Sequence, residues 1–314
     1  MRAHHTSETR RTAARITRLC ALAALAVVVW ACATEWGGIV HGHPAYAVVL
    51  GVTTLLAIGA LVSVGTRERG RGRWRTVGRV TTTLLAIAGI AIVGWLRPHT
   101  ATDPSLTAMM SDTDVTVTET ATSITFTPAV GDAGVGLFFQ PGALVDARAY
   151  AAVLRPVAEL GHTVVIAKQP LGIAFLSLTA FDASRAAHPD VAEWVIGGHS
   201  LGGTVAAQLA STESTASGLI LFASYPASDI SGADISAASI SGTRDGLSTP
   251  EKIEASHQNL PADTVFVAIE GASHAQFGDY GTQSGDGTPT VSDDAARRQI
   301  SRAAVDIVTE FALD

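Results

Sequence analysis

The sequence predicts an α/β domain, a mostly parallel sheet with helices on both faces, preceded by three transmembrane helices. Three observations predict it. Three apolar runs lie within residues 1–97, each near the roughly 20 residues that cross a hydrocarbon core as a helix. From Val115 onward, short β-type runs alternate with stretches of helical periodicity, the pattern of right-handed crossovers and a parallel sheet. The charge is split as well. Residues 1–97 hold 12 Arg against three acids, a balance of +9, whereas residues 98–314 hold nine basic and 25 acidic residues, a balance of −16. Two parts so different in charge face different environments.

Residues 1–97 form the expected membrane region, with helices at about 19–36, 45–64 and 80–96. Arg2, Arg10, Arg11, Arg15 and Arg18 precede the first run, and the Arg-rich loop Thr66 to Arg75 separates the second from the third. The connection from Thr34 to Pro44 has no Lys or Arg. By the positive-inside rule both Arg-rich segments are cytoplasmic, so the chain after Leu96 is expected on the extracytoplasmic side of a multi-pass protein. Trp36, Trp74 and Trp95 sit at segment ends, as interfacial aromatics do. A second reading makes the first segment a cleaved signal peptide, because it ends in Ala31-Cys32-Ala33. Two remaining crossings leave the large domain on the same side. Both cysteines, Cys20 and Cys32, lie in this segment, which excludes a cysteine nucleophile or Cys-based metal site from the acidic part. The acidic balance argues against nucleic acid as a partner.

Residues 98–114, with Pro98, Pro104 and several Ser, Thr and Asp, read as a linker, and 115–314 as the α/β domain. Val115 to Thr118 and Ile124 to Thr127 alternate with period two, as a short antiparallel pair would. Gly136 to Phe139 is a third strand. A helix is expected over Asp146 to Leu160, with Asp146 as N-cap and Gly161 as stop. There follow a strand at Thr163 to Ala167, a helix near Phe181 to Ala187, a strand at Ala192 to Ile196 and a helix from Thr204. Strands at Leu219 to Ala223, Ala238 to Ser241 and Thr264 to Ile269 complete the sheet. Helices are expected at Pro250 to Gln258 and Asp293 to Leu313.

Between the strand at Ala192 and its helix lies Gly198-His199-Ser200-Leu201-Gly202, a G-x-S-x-G nucleophile elbow. The flanking glycines remove side chains that would collide in so sharp a turn, and Ser200 stands above the sheet at a helix N-terminus that favours developing negative charge. The pentapeptide alone is weakly specific in a chain with 30 Gly among 314 residues. A serine hydroxyl also needs a base, and the base an acid that fixes its tautomer. On this type of sheet they follow in the order Ser, acid, His, in loops after later strands. Asp245 and His274 meet that order, Asp245 in Gly242-Thr243-Arg244-Asp245-Gly246 and His274 in Gly271-Ala272-Ser273-His274-Ala275. Asp229 or Asp234 is an alternative acid, and His257 a competing histidine. His199 is read as structural support pointing away across the turn, and His162 and His188 as surface residues. Stabilising an oxyanion takes two amides. The N–H of Leu201 is one candidate; Ala143 or Gly142, in the loop Gln140-Pro141-Gly142-Ala143, supplies the other. Lys168 and Gln169 either line the pocket or form a surface turn. Ser284 to Thr290 reads as a mobile loop beside His274, with Asp286 in it.

These segments, together with Val165 to Leu171 and Gly271 to Gly281, resemble the α/β hydrolases, and within them a compact bacterial group related to dienelactone hydrolases. The resemblance covers Val115 to the C-terminus and not the membrane region. It implies a serine hydrolase without cofactor or metal, acting on a small-molecule acyl substrate, with Ser200, Asp245 and His274 in the triad positions. Pro141-Gly142 stands where many lipases and esterases have His-Gly, which leaves the second amide donor open. The competing expectation is a non-catalytic binding module on the same fold, attached to a membrane bundle. The bilayer is the expected partner of residues 1–97.

Overall fold

The computed structural model describes residues 2–63, 73–130 and 134–312, and the chain divides into two compact units, one of residues 1–40 and 44–97, the other of 41–43 and 98–314. Residues 64–72, which include most of the predicted Arg-rich loop, and Leu313, the last residue of the predicted C-terminal helix, lie outside the described residues.

The first unit is three helices, α1 (Arg2–His41), α2 (Pro44–Ser63) and α3 (Arg73–Trp95). Stretches of all three, Arg11–His41, Pro44–Ser63 and Val77–Trp95, are long and apolar enough to cross a membrane. Small residues let α1 and α2 approach: Ala21, Ala24 and Ala57 are buried together, with Leu25, Leu61 and Ile90 against them. Tyr46 Oη donates to Val93 O at 2.8 Å. Glu35 has non-helical angles (φ −128°, ψ 31°) that kink α1, and it pairs with Arg97 at 2.5 Å. Leu55, Leu56 and Leu85 remain more than 60% exposed, so the helices present an outward apolar surface.

The second unit is built on one eight-stranded sheet: β1 (Val115–Glu119), β2 (Ser123–Pro128), β3 (Val135–Gln140), β4 (Val164–Ala167), β5 (Glu193–His199), β6 (Ala216–Phe222), β7 (Ser236–Gly242) and β8 (Val265–Ile269). Their order is β1-β2-β4-β3-β5-β6-β7-β8. The β1–β2 and β2–β4 pairs are antiparallel and the other five are parallel. Period-two alternation divides the core between the two faces. Leu137, Phe139, Ile166, Ile220 and Phe222 join α5 (Ala151–Glu159) and α9 (Asp293–Phe311) on one face. Phe138, Val165, Ile196, Leu219 and Leu221 join α6 (Ala180–Ala187) and α7 (Leu201–Ala210) on the other. A short α4 (Ser105–Ala108) and α8 (Pro250–Ser256) complete the unit.

Two segments depart from expectation. The helix expected from Asp146 is a 3-10 turn over Ala147–Tyr150 followed by α5, with Asp146 Oδ1 accepting from Arg148 N. Ala149 O is taken by Ser105 Oγ (2.9 Å) and Asp279 N (2.8 Å), and Ala152 N donates to Ser105 Oγ (3.1 Å), so these groups are drawn out of helical pairing. Residues 98–114, read from composition as a linker, are packed against the second unit. His99 N donates to Leu144 O at 2.7 Å, Thr102 N to Asp279 O at 2.8 Å, and Asp112 pairs with Arg155. Polar composition is shared by free linkers and by segments whose polar groups find partners.

Candidate active site

The carboxyl ends of the parallel strands lie in register. Gln140 is opposite Gly198, His199 opposite Phe222, Phe222 opposite Ile240, and Gly242 opposite Ile269. Loops leaving this edge carry Ser200, Asp245, His274 and the Gln140–Ala143 segment, where ligands of such sheets bind.

Ser200 joins β5 to α7 with φ 51° and ψ −123°, a conformation costly for any residue with a Cβ. Its N–H donates to Phe222 O at 3.0 Å, and its carbonyl accepts from Ser224 Oγ at 2.6 Å. The glycines are required by close backbone approach. A Cβ on Gly198 would stand 2.5 Å from the Gly202 carbonyl, and one on Gly202 would overlap the carbonyl oxygens of Gln140 and Pro141.

His274 opens a 3-10 turn after β8, and its Nδ1 is 2.8 Å from Asp245 Oδ2, with neither side chain exposed. Asp245 Oδ1 accepts from Leu247 N and Ser248 N, both at 2.7 Å. A carboxylate only accepts, so the shared proton sits on His274 Nδ1, and in the neutral imidazole Nε2 is the nitrogen that carries the lone pair. That Nε2 is buried and has no hydrogen-bond partner among the described residues. Ser200 Oγ makes no capping bond to α7, and among the described residues the structure pairs His274 with Asp245 but gives the serine hydroxyl no partner. Asp229 and Asp234 are exposed, and Asp229 is occupied by Ser231 N at 2.9 Å. His257 lies against Phe266 on α8's 3-10 extension, with ring centroids 3.7 Å apart.

In the loop after β3, Gly142 N–H donates to Tyr150 Oη at 2.9 Å, and Tyr150 Oη is bonded to His199 Nδ1 at 2.8 Å. Gly142 N–H is therefore committed. Ala143 N–H and Leu201 N–H have no acceptor among the described residues. A Cβ on Gly142 would be 2.7 Å from His199 Nδ1, which is why glycine stands there. Lys168 is no pocket cation: its Nζ donates to Glu119 Oε1 (2.7 Å) and Thr120 O (2.6 Å), pinning the β1–β2 turn. Gln169 braces the β3 loop, its Nε2 donating to Gln140 Oε1 and Pro141 O, both at 2.9 Å.

His199 does not point away from the site. Its ring is 4.5 Å from that of His274 and stacked on Phe277. Burial, then the neighbouring His274, holds its pKa well below the usual imidazole value of 6.5, so it is neutral. His162 is buried rather than on the surface, its Nδ1 3.1 Å from Val135 O. His188 is half-buried beside Trp194. Tyr150 and Asp286 escaped sequence reasoning as parts of the site. The only sign of Tyr150 was its place one turn after the β3 loop, and the only sign of Asp286 its place in a Gly-rich segment near His274.

A family model described as the alpha/beta hydrolase family matches residues 136–298. The chain belongs to that family. Among solved structures, a protein of Klebsiella pneumoniae subsp. pneumoniae assigned as a dienelactone hydrolase is 14% identical with a TM-score of 0.48, covering 60% of this chain and 92% of that one. A thermophilic esterase of Thermogutta terrifontis is 16% identical with a TM-score of 0.44, covering 63% and 91%. An esterase of Pyrobaculum calidifontis is 15% identical with a TM-score of 0.48, covering 66% and 89%. A comparison with curated proteins found no match. As an alpha/beta hydrolase the chain has the fold and the hydrolase character of the family.

Proposed function

We propose that this alpha/beta hydrolase is a membrane-anchored serine hydrolase that cleaves an ester or related acyl bond of a small molecule through Ser200, His274 and Asp245. The observation that carries the proposal is the buried His274 Nδ1 to Asp245 contact of 2.8 Å, which leaves Nε2 as the available base at the sheet edge that holds the strained Ser200. In the first half-reaction Ser200 Oγ attacks the acyl carbonyl while His274 Nε2 takes its proton, and Asp245 stabilises the imidazolium. The oxyanion accepts from Leu201 N–H and Ala143 N–H, the two of the three candidate amides that have no acceptor among the described residues. Collapse breaks the bond to the leaving group, which takes the proton from His274. Water then attacks the acyl-serine, giving its proton to His274 Nε2, and the acid departs as Ser200 is reprotonated. Residues 1–97 serve as anchor, and the hydrolase domain lies on the extracytoplasmic side, a reading supported by the Arg distribution and three apolar helices.

Ser200→Ala in the full chain is expected to abolish fluorophosphonate labelling and to lower p-nitrophenyl ester turnover at least 10³-fold, on the order seen when a triad nucleophile is lost. Turnover equal to wild type would remove the proposal. Folded wild-type protein that takes no fluorophosphonate, with short or long acyl chains, would favour a binding module instead.

A further inference from the structure

Asp286 is half-buried in the segment between His274 and α9. Its Oδ1 accepts from Gly246 N and His274 N, both at 3.1 Å, and from the adjacent Gly287 N at 2.6 Å. Its Oδ2 accepts from Ala275 N at 2.8 Å. One carboxylate thus ties the residue after Asp245 to the backbone of His274 itself. These are the ends of two loops, after β7 and β8, whose side chains must meet at 2.8 Å. The contact is close along its length: a Cβ on Gly246 would stand 2.6 Å from Gly287 N, and one on Gly287 would overlap Arg244 O.

We propose that Asp286 is a positioning residue, which sets the His274 to Asp245 distance by holding both loop backbones on a single anion. The inference rests on the proposed serine hydrolase reading. All four donors point at acceptor-only oxygens, and charge-assisted bonds of this kind are the strong ones. An amide of the same shape turns one of those oxygens into an N–H facing a backbone N–H. The two loops then separate, and a displacement near 1 Å at a base costs on the order of 100-fold in rate.

The test compares wild type, Asp286→Asn, Asp286→Glu and Gly287→Ala in the full chain, with sites counted by fluorophosphonate titration so that rates refer to folded enzyme. For Asp286→Asn, kcat is expected to fall about 10- to 100-fold with KM within about twofold. The acidic limb of kcat/KM is expected to move to lower pH, because an imidazolium with a loosened Asp245 is easier to deprotonate. Gly287→Ala, which keeps the carboxylate and pushes its segment off the acid loop, is expected to show the same signature. Asp286→Glu is expected to keep more of kcat than Asp286→Asn although Asn is the closer shape. A shape-only role predicts the reverse order and an unmoved acidic limb, and either result overturns the proposal. Wild type that hydrolyses esters with an indistinguishable Asp286→Asn overturns this inference alone. Wild type that neither labels nor turns over esters overturns the hydrolase reading and this inference with it.

Discussion

His199 is held between Tyr150, Phe277 and His274, and its neutrality has a consequence for stability. Its folded pKa lies well below 6.5, the value expected in the unfolded chain. Below about pH 6.5 the unfolded state therefore binds a proton that the folded state refuses. The stability this group contributes is complete above that pH and is lost as pH falls. The slope approaches about 1.4 kcal/mol per pH unit for one proton. Chemical denaturation of wild type and His199→Phe between pH 7 and 5 is expected to give a steeper loss for wild type, with the difference between the curves growing below pH 6.5. Parallel curves would show that His199 is protonated in the folded state. The proposed triad of Ser200, Asp245 and His274 could be singled out from the sequence because elbow spacing and motif order constrain the candidates. The contacts of His199, Tyr150 and Asp286 were not, since each depends on partners distant in the chain or on a backbone N–H that carries no sequence signal: Tyr150 and His199 are 49 apart, and Gly246 and Asp286 are 40 apart.

At the scale of elements, the turn from β5 into α7 is the most constrained joint in the domain. Gly202 packs on the carbonyl oxygens of Gln140 and Pro141, which are backbone atoms and cannot swing aside. Gly202→Ala is therefore expected to cost about 1–3 kcal/mol, the range for overpacking a dense interior. For a domain of this size that lowers the melting temperature by roughly 2–12 °C. Thermal melting of the detergent-solubilised chain checks it, and an unchanged midpoint would mean the β3 loop can retreat from α7. Helix and strand types were legible along 115–314 because periodicity is local, and a mostly parallel sheet followed from their alternation. The strand order β1-β2-β4-β3-β5-β6-β7-β8 came only from the structure. The break before α5 was not, because Ser105 and Asp279 impose it from distant parts of the chain.

For the whole molecule, the charge balance of +9 over residues 1–97 and −16 over 98–314 belongs with three apolar helices. A reporter active only in the cytoplasm, fused after the last residue, is expected to be silent, and one active only outside to give signal. A signal from the cytoplasmic reporter would reverse the proposed orientation. The segment 98–114 shows the limit of reading organisation from composition. Its Ser, Thr and Asp are bonded to Ala149, Asp279 and Arg155, and no property of the segment alone names those partners.

By itself the sequence determined three apolar segments long enough to cross a membrane, the alternation of strand and helix, and the order Ser200, Asp245, His274 along the chain, because hydrophobic length, periodicity and motif order are written in neighbouring residues. Only the tertiary structure decided which amides are free, that Gly142 N–H is spent on Tyr150, that Lys168 serves the β1–β2 turn, and that Asp286 joins the loops of Asp245 and His274. Those facts are hydrogen bonds between atoms far apart in the chain, and burial leaves each donor with the partner that folding brings to it.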